Sequence, residues 1–208
     1  MNKEQKIVII DYQVGNLSSI ANMLKKVGQK SIISGDINEI KSADKLILPG
    51  VGSFDYGMNK LNESGITEVL NEKALNDKIP FLGICLGAQL LTQSSEEGVL
   101  AGLGWFKAKT IKFDFSNLQT KLKIPHMGWT EVQAPKPCPL MENLVDSRFY
   151  FVHSFHFTTP DESEIMLQSE FGYPFVSALW KENIYAVQFH PEKSHKFGMQ
   201  LMRNFINL

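Results

Sequence analysis

Cysteine is scarce in this chain of 208 residues: there are two, Cys85 and Cys138. Neither belongs to a C-x-x-C pair, which argues against a zinc site or a disulfide framework. No apolar run approaches the roughly 18 residues of a membrane span. The opening stretch, Met-Asn-Lys-Glu-Gln-Lys, lacks the apolar core of a signal peptide and leads straight into a short strand. An excess of charge of one sign is also missing. The net charge of −1, from 21 basic and 22 acidic residues, gives no reason to expect nucleic acid or an acidic membrane as partner. There is no internal repeat, no phosphate-binding P-loop and no G-x-G-x-x-G fingerprint, since position 55 is Asp55. What remains is 43% hydrophobic and 21% charged, the balance of an ordinary globular protein. One domain over residues 1–208 in a reducing cytoplasm is the expectation.

The first half alternates strands and helices. Ile7–Ile10, Ser31–Ser34 and Lys45–Leu48 read as short strands, the last closed by Pro49. Leu17, Ile20, Ala21, Leu24 and Val27 recur at helical spacing, and Gly28 ends that helix. Gly35 and Asp36 read as a turn, and two helical stretches cover Tyr56–Glu63 and Ile66–Asn76. The second half reads as strands over Phe106–Phe113, His126–Gln133, Arg148–Val152, Ile165–Ser169, Phe175–Trp180 and Ile184–Phe189. A helix closes the chain over Phe197–Ile206. This pattern predicts an α/β fold with a mixed, mostly parallel sheet, helices on both faces and an antiparallel extension in the C-terminal half. In such sheets ligands sit beyond the C-terminal strand ends. Pro49-Gly50-Val51-Gly52 follows a strand directly, so it belongs at that edge, either as a simple turn or as a loop presenting N–H groups to an anion.

Residues 80–91, Pro-Phe-Leu-Gly-Ile-Cys-Leu-Gly-Ala-Gln-Leu-Leu, hold the sharpest local signal. An apolar strand ends at Ile84 and a helix begins at Leu86, with Cys85 between them and glycine two positions away on either side. This is the pattern of a nucleophile elbow. Glycines relieve crowding in a tight turn, and a helix N-terminus favours a thiolate. A lone cysteine in an apolar stretch is nevertheless ordinarily core. Phe189-His190-Pro191-Glu192 supplies the groups a thiol nucleophile needs: a base and a carboxylate to orient it. Pro191 is expected to hold that segment extended. Taken singly, His190 would be a satisfied strand-end histidine and Glu192 a solvated acid. His190 and His195, five apart, make a poor metal pair. His126, His153 and His156 find no place by physics alone.

G-I-C-L-G-A-Q from Gly83, together with F-H-P-E-K from Phe189, resembles the class I (triad) glutamine amidotransferases. P-G-V-G at 49–52, P-H-M-G-W at 125–129, Y-F-V-H-S at 150–154 and H-P-E-K-S at 190–194 narrow the resemblance to the HisH family, glutaminase subunits of imidazole glycerol phosphate synthases. It runs from Ile7 to Phe205 and implies the flavodoxin-like amidotransferase fold. It also implies Cys85 as nucleophile, His190 as general base and acid, and Glu192 as the orienting carboxylate. Leu86 N–H and the peptide at Val51 would hold the oxyanion. Gly52, Gln89, Glu97, Ser154 and Phe155 would hold L-glutamine. Asn16, Trp129, Tyr150 and Lys193 would face a HisF-type (β/α)8 cyclase subunit in a heterodimer. No cofactor and no metal are implied.

Three stretches depart from the family pattern. Asp11-Tyr12-Gln13-Val14-Gly15-Asn16 stands where D-Y-G-M-G-N is common. Trp105-Phe106 follows Gly102-Leu103-Gly104 where an aliphatic pair and P-G are usual, and Phe155-His156 replaces a tyrosine-containing pair. These features resemble HisH paralogues that feed ammonia to a synthase amidating a surface sugar, which stands as the alternative acceptor. A thiol peptidase with a similar elbow, or an inert interaction module, are the other readings. Labelling of Cys85 by a glutamine-like electrophile, blocked by glutamine, would disfavour both. Cys85→Ala is expected to abolish glutamate release while leaving the circular-dichroism spectrum unchanged; residual turnover would remove Cys85 from the chemistry.

Overall fold

The computed structural model describes residues 5–117 and 122–208; the first four residues, read above as the lead-in to a strand, lie outside the described residues. The chain runs β1 (Ile7–Ile10), α1 (Leu17–Lys26), β2 (Ser31–Ser34), α2 (Ile37–Lys41), β3 (Lys45–Gly50), α3 (Phe54–Glu63), α4 (Thr67–Asn71), β4 (Phe81–Cys85) and α5 (Leu86–Gln89). The second half adds β5 (Lys109–Lys112), β6 (His126–Glu131), β7 (Arg148–His153), β8 (Phe155–Thr158), β9 (Ile165–Phe171), β10 (Tyr173–Lys181), β11 (Ile184–Val187) and α6 (His195–Asn207). Among the described residues nine strands form one sheet, in the order β2-β1-β3-β4-β11-β10-β8-β5, with β9 also on β10. The pairs from β2 through β11 are parallel. Those from β11 outward to β5 and β9 are antiparallel.

Apolar side chains alternate to both faces of the central strands, which is why their sequences read as unbroken hydrophobic runs. Val8, Ile10, Leu46 and Leu48 pack under α3 and α4 with Phe54, Met58, Leu61 and Leu70. Ile7, Ile9, Ile47, Leu82 and Ile84 pack on the other face with Ile20 and Leu24 of α1 and Leu201, Met202 and Phe205 of α6. Helices therefore close both faces, and the site is left at the strand ends.

Several elements differ from the sequence reading. α2 follows the turn read at Gly35 and Asp36, over residues that carried no reading. The carboxylate of Asp36 accepts from the N–H groups of Asn38 and Glu39, an N-cap whose Asp-x-x-Glu signature stands in the sequence. β3 continues through Pro49 to Gly50. Its pairing with β1 ends at Ile47, so Pro49 needs no donor on that side. The helix expected over Ile66–Asn76 changes to π geometry at Glu72–Asn76, where the Asn183 side chain takes the Ala74 carbonyl. Phe106–Ala108 is not strand, because the N–H groups of Trp105 and Phe106 turn back onto the Leu91 carbonyl. β6 and β7 do not extend the main sheet but form a separate two-stranded one. α5 is a single turn, so the helix-dipole help expected at Cys85 is small.

The two glycines of the elbow have distinct steric reasons. A Cβ on Gly83 would lie 2.8 Å from the Ala88 Cα. One on Gly87 would run into the Leu48 carbonyl of β3. Gly87→Ala is expected to cost at least about 2 kcal/mol, because the atom it meets is backbone rather than a movable side chain. Urea denaturation checks this; an unchanged midpoint would mean that α5 does not pack on β3 as described.

Candidate active site

Register brings the chemistry together. Gly50 of β3 lies opposite Cys85 of β4, and Ile84 lies opposite Val187 of β11. Residues 50, 85 and 188–190 therefore leave three adjacent parallel strands at one edge, although 105 positions separate Cys85 from His190. Cys85 turns the chain at φ 54 and ψ −115, a conformation a non-glycine residue holds only under constraint. Its side chain is buried but opens on a pocket of about 250 Å³.

His190 Nδ1 meets Glu192 Oε1 at 2.7 Å, the two side chains being 3% and 4% exposed. Pro191–Lys193 forms a 3-10 turn, not the extended segment expected from the proline. That turn carries Glu192 back onto the imidazole, with Pro191 at a first-turn position where its missing N–H costs nothing. The loop is laced to the small sheet: His190 N–H donates to the Tyr150 carbonyl, Ser194 Oγ to the His190 carbonyl, and Tyr150 N–H to Ser194 Oγ. His190 Nε2 and Glu192 Oε2 are buried without hydrogen-bond partners. Burial would lower the His190 pKa, but polar and electrostatic interaction with Cys85 and with Glu192 outweighs it and holds the ring up to about 9. Cys85 and His190 line one pocket without an aligned hydrogen bond to Nε2, the loose geometry common before substrate binds.

The same pocket is lined by Val51, Gly52, Leu86, Gln89, Glu97, Ser154 and Phe155, so the structure brings these sequence candidates to one cavity. Val51 is 46% exposed, and Gly52 has φ +109 in the left-handed region that favours glycine. Glu97 Oε2 caps α3 by accepting from Phe54 N–H at 2.8 Å, while Asp55 of α3 accepts from Val99 and Leu100 N–H. The 97–100 loop and the start of α3 are therefore one wall. Gln89 is buried, and its Nε2 donates to Gln188 Oε1 at 2.9 Å. Gln188 Nε2 in turn donates to Cys85 Sγ at 3.8 Å.

The sequence reading did not single out Gln188, nor His153 and Pro125, which also line the pocket. The signal for Gln188 was present: it stands two residues before His190, and side chains two apart in an extended segment share a side. Lys193, expected at a partner surface, lines the pocket as well, and its Nζ lies 5.9 Å over the Tyr150 ring. Trp129 is 42% exposed rather than core, stacked on His195 at 5.5 Å and facing Tyr150 at 6.3 Å. Asn16 lies apart from the pocket lining, exposed, and its Oδ1 caps α1 through Ser19 N–H. No group of three or more His, Cys, Asp or Glu among the described residues is arranged to hold a metal. No helix among them is long and apolar enough to cross a membrane.

His190 binds its proton more tightly in the folded chain than in the unfolded one. The stability this brings is complete below about pH 6.5 and is lost as the pH rises through about 9. The unfolding free energies of the native chain and of His190→Gln, from urea curves, are expected to converge across that window. A gap that stays constant would contradict a protonated His190.

A family model described as glutamine amidotransferase class-I matches residues 8–208. A protein of Methanococcus maripaludis, named imidazole glycerol phosphate synthase subunit HisH 2, is 56% identical over 96% of this chain and 98% of its own length. Its namesake in Pseudomonas aeruginosa is 46% identical over 97% and 99%. Subunit HisH of Leptospira borgpetersenii is 47% identical over 97% and 100%. Among solved structures, a putative GMP synthase subunit from Thermoplasma acidophilum superposes with a TM-score of 0.74 at 23% identity, covering 100% of this chain and 94% of that one. PurLQS of Thermotoga maritima gives 0.73 at 17% identity, covering 99% of each. At those identities the structural matches establish the fold alone.

Proposed function

The chain belongs to the glutamine amidotransferase class-I family, and from that premise we propose that it is the glutaminase subunit of an imidazole glycerol phosphate synthase in histidine biosynthesis. It hydrolyses L-glutamine to L-glutamate and passes the ammonia to a HisF-type (β/α)8 cyclase subunit. The relatives named above are synthase subunits, which does not favour the sugar-amidating alternative. The match over residues 8–208 supports one amidotransferase domain, and two free cysteines suit a reducing cytoplasm.

The observation that carries the chemistry is the strained Cys85 facing a His190 that Glu192 grips at 2.7 Å, in a pocket of small-molecule size. Cys85 attacks the side-chain amide carbon of glutamine as the thiolate, with its proton on His190. The tetrahedral oxyanion takes N–H groups from Leu86 and from the peptide at Val51. His190, protonated and with Nε2 unpartnered, gives that proton to the departing amide nitrogen, and ammonia leaves. A γ-glutamyl thioester remains on Cys85. Water, deprotonated by the same imidazole, attacks the thioester; the thiolate is released with His190 already recharged by the water's proton, and the product acid loses its own proton to solvent as glutamate. Glu192 holds the ring and stabilises the imidazolium throughout. Glu97, with Gly52 and the Ser154–Phe155 backbone, offers the carboxylate and N–H donors that a zwitterionic amino acid requires.

Trp129, Tyr150, Lys193 and Asn16 are assigned to the cyclase interface. An exposed Trp129 and a half-buried Tyr150, each beside a cation, suit that role: Arg148 lies 5.9 Å over Trp129, and Lys193 as far over Tyr150. The resemblance implies that the Val51 donor is set in place only by rearrangement of the Pro49–Gly52 loop in the complex, and an oxyanion hole lacking one donor loses about 10²–10³ in rate. Glutamate release by the chain alone is therefore expected to be slow, and to rise by that order with the HisF-type cyclase of the same cell and its nucleotide substrate. No stimulation and no complex would leave the thiol chemistry standing and remove the histidine-pathway acceptor.

A further inference from the structure

One corner of the pocket is built by a change of sheet. β7 pairs only with β6 in the small sheet, and β8 pairs with β5 and β10 in the large one. The chain crosses between them at Ser154 alone, since β7 ends at His153 and β8 begins at Phe155. Ser154 and Phe155 both line the pocket. One backbone bond ties this crossing to the neighbouring chain, the Ser154 carbonyl accepting from Phe113 N–H at 3.1 Å. Here the His153 ring spans the corner, its Nδ1 lying 2.6 Å from the Phe155 carbonyl oxygen.

That contact fixes the hydrogens of a longer chain. A carbonyl only accepts, so His153 Nδ1 carries the hydrogen. Burial pushes the pKa of His153 down to about 3 and that of His126 to about 4, so both rings are neutral. His153 Nε2 is then an acceptor, and His126 Nδ1, 2.9 Å away, must donate to it. His126 Nε2 is left as an acceptor, for the Thr130 hydroxyl at 2.8 Å. A single arrangement satisfies every ring nitrogen, running from Thr130 through His126 and His153 to the Phe155 carbonyl. His126 and His153 are register partners across β6 and β7. Phe171 stacks on His126 at 4.1 Å, and Phe113 packs edge-on to His153 at 5.2 Å. Two apolar side chains would fill that aromatic cage without any polar group to satisfy. What the histidines add is a directional link that ends on the pocket wall.

We propose that His153, locked in one tautomer by His126 and Thr130, is a positioning residue that clamps the corner at Ser154 and so sets the Phe155 arm against which the α-amino and α-carboxylate groups of glutamine bind. This rests on the glutaminase reading above. Among the described residues no hydrogen bond joins the clamp to Cys85 or His190, so its loss weakens glutamine binding more than it slows the chemistry. It also ties the pocket wall to β6, the strand that carries the exposed Trp129.

Two measurements test this on the full chain. Nitrogen-15 NMR of the native protein at neutral pH, without ligand, reads the tautomer directly. His153 is expected with hydrogen on Nδ1, the minor form of a free histidine side chain, and a signal with hydrogen on Nε2 would overturn the clamp. The second measurement is glutamate release with the cyclase and its nucleotide substrate present. His153→Phe, which removes both hydrogen bonds, is expected to raise the KM for L-glutamine about 10-fold with kcat within about 3-fold of native. His153→Asn, whose amide can still donate near the Nδ1 position, is expected to recover most of that loss. Equal KM in all three proteins, or a fall in kcat that Asn does not rescue, would overturn the positioning role. Should His153→Phe fail to fold, the tautomer and the Asn variant still decide. A native chain that releases no glutamate would sink the glutaminase reading instead, and the NMR result would judge the clamp independently.

Discussion

The turn at Cys85 is the constraint from which the rest of the site takes its position. A non-glycine residue at φ 54 and ψ −115 costs on the order of 1–3 kcal/mol. It persists because its flanks cannot relax. β4 is hydrogen-bonded to β3 on one side and β11 on the other, and α5 is pressed against the Leu48 carbonyl through Gly87. The sulfur is thereby held beyond the end of the sheet, with the Leu86 N–H at the start of a one-turn helix beside it.

Around that point the molecule buries polar groups only where it also gives them partners. Gln89, Gln188 and Cys85 form one hydrogen-bonded series beneath the pocket, and His190 and Glu192 form another at its side. The exceptions among the described residues of the site are His190 Nε2 and Glu192 Oε2. An unpaired buried nitrogen costs free energy on its own account, so its presence in a pocket is a sign of use. The neighbouring histidines behave oppositely. His126 and His153 are fully partnered, and burial holds both neutral, whereas interaction with Cys85 and Glu192 offsets the burial of His190.

The small β6–β7 sheet links the features of the site. It supports the His190 loop through Tyr150, carries the exposed Trp129, and ends at the corner beside Ser154. A side chain that moved on this sheet would be felt at the catalytic loop and at the pocket wall together. The physical basis is a set of short hydrogen bonds between rigid elements.

Much of this was legible in the sequence because it depends on local chemistry. The strand at Ile7–Ile10, the helix from Leu17 and the strands on either side of Glu182 follow from periodicity alone. The elbow was marked by two glycines around Cys85, and the Cys85, His190 and Glu192 constellation by residue type together with resemblance to a family. Other features were not local. Pro49 sits inside a strand because β1 stops pairing at Ile47, which no property of Pro49 reveals. Phe106 leaves the strand pattern to meet a carbonyl at Leu91, and β6 and β7 separate from the main sheet although their alternation resembles that of its members. The tautomer of His153 depends on a carbonyl two residues away and on a ring 27 positions distant. By itself the sequence determined which residue types were available and the order of strands and helices, since propensity and steric need act over a few residues. Only the tertiary structure decided which of them share a pocket and which ionisation states they hold, because register and burial are properties of the packed chain.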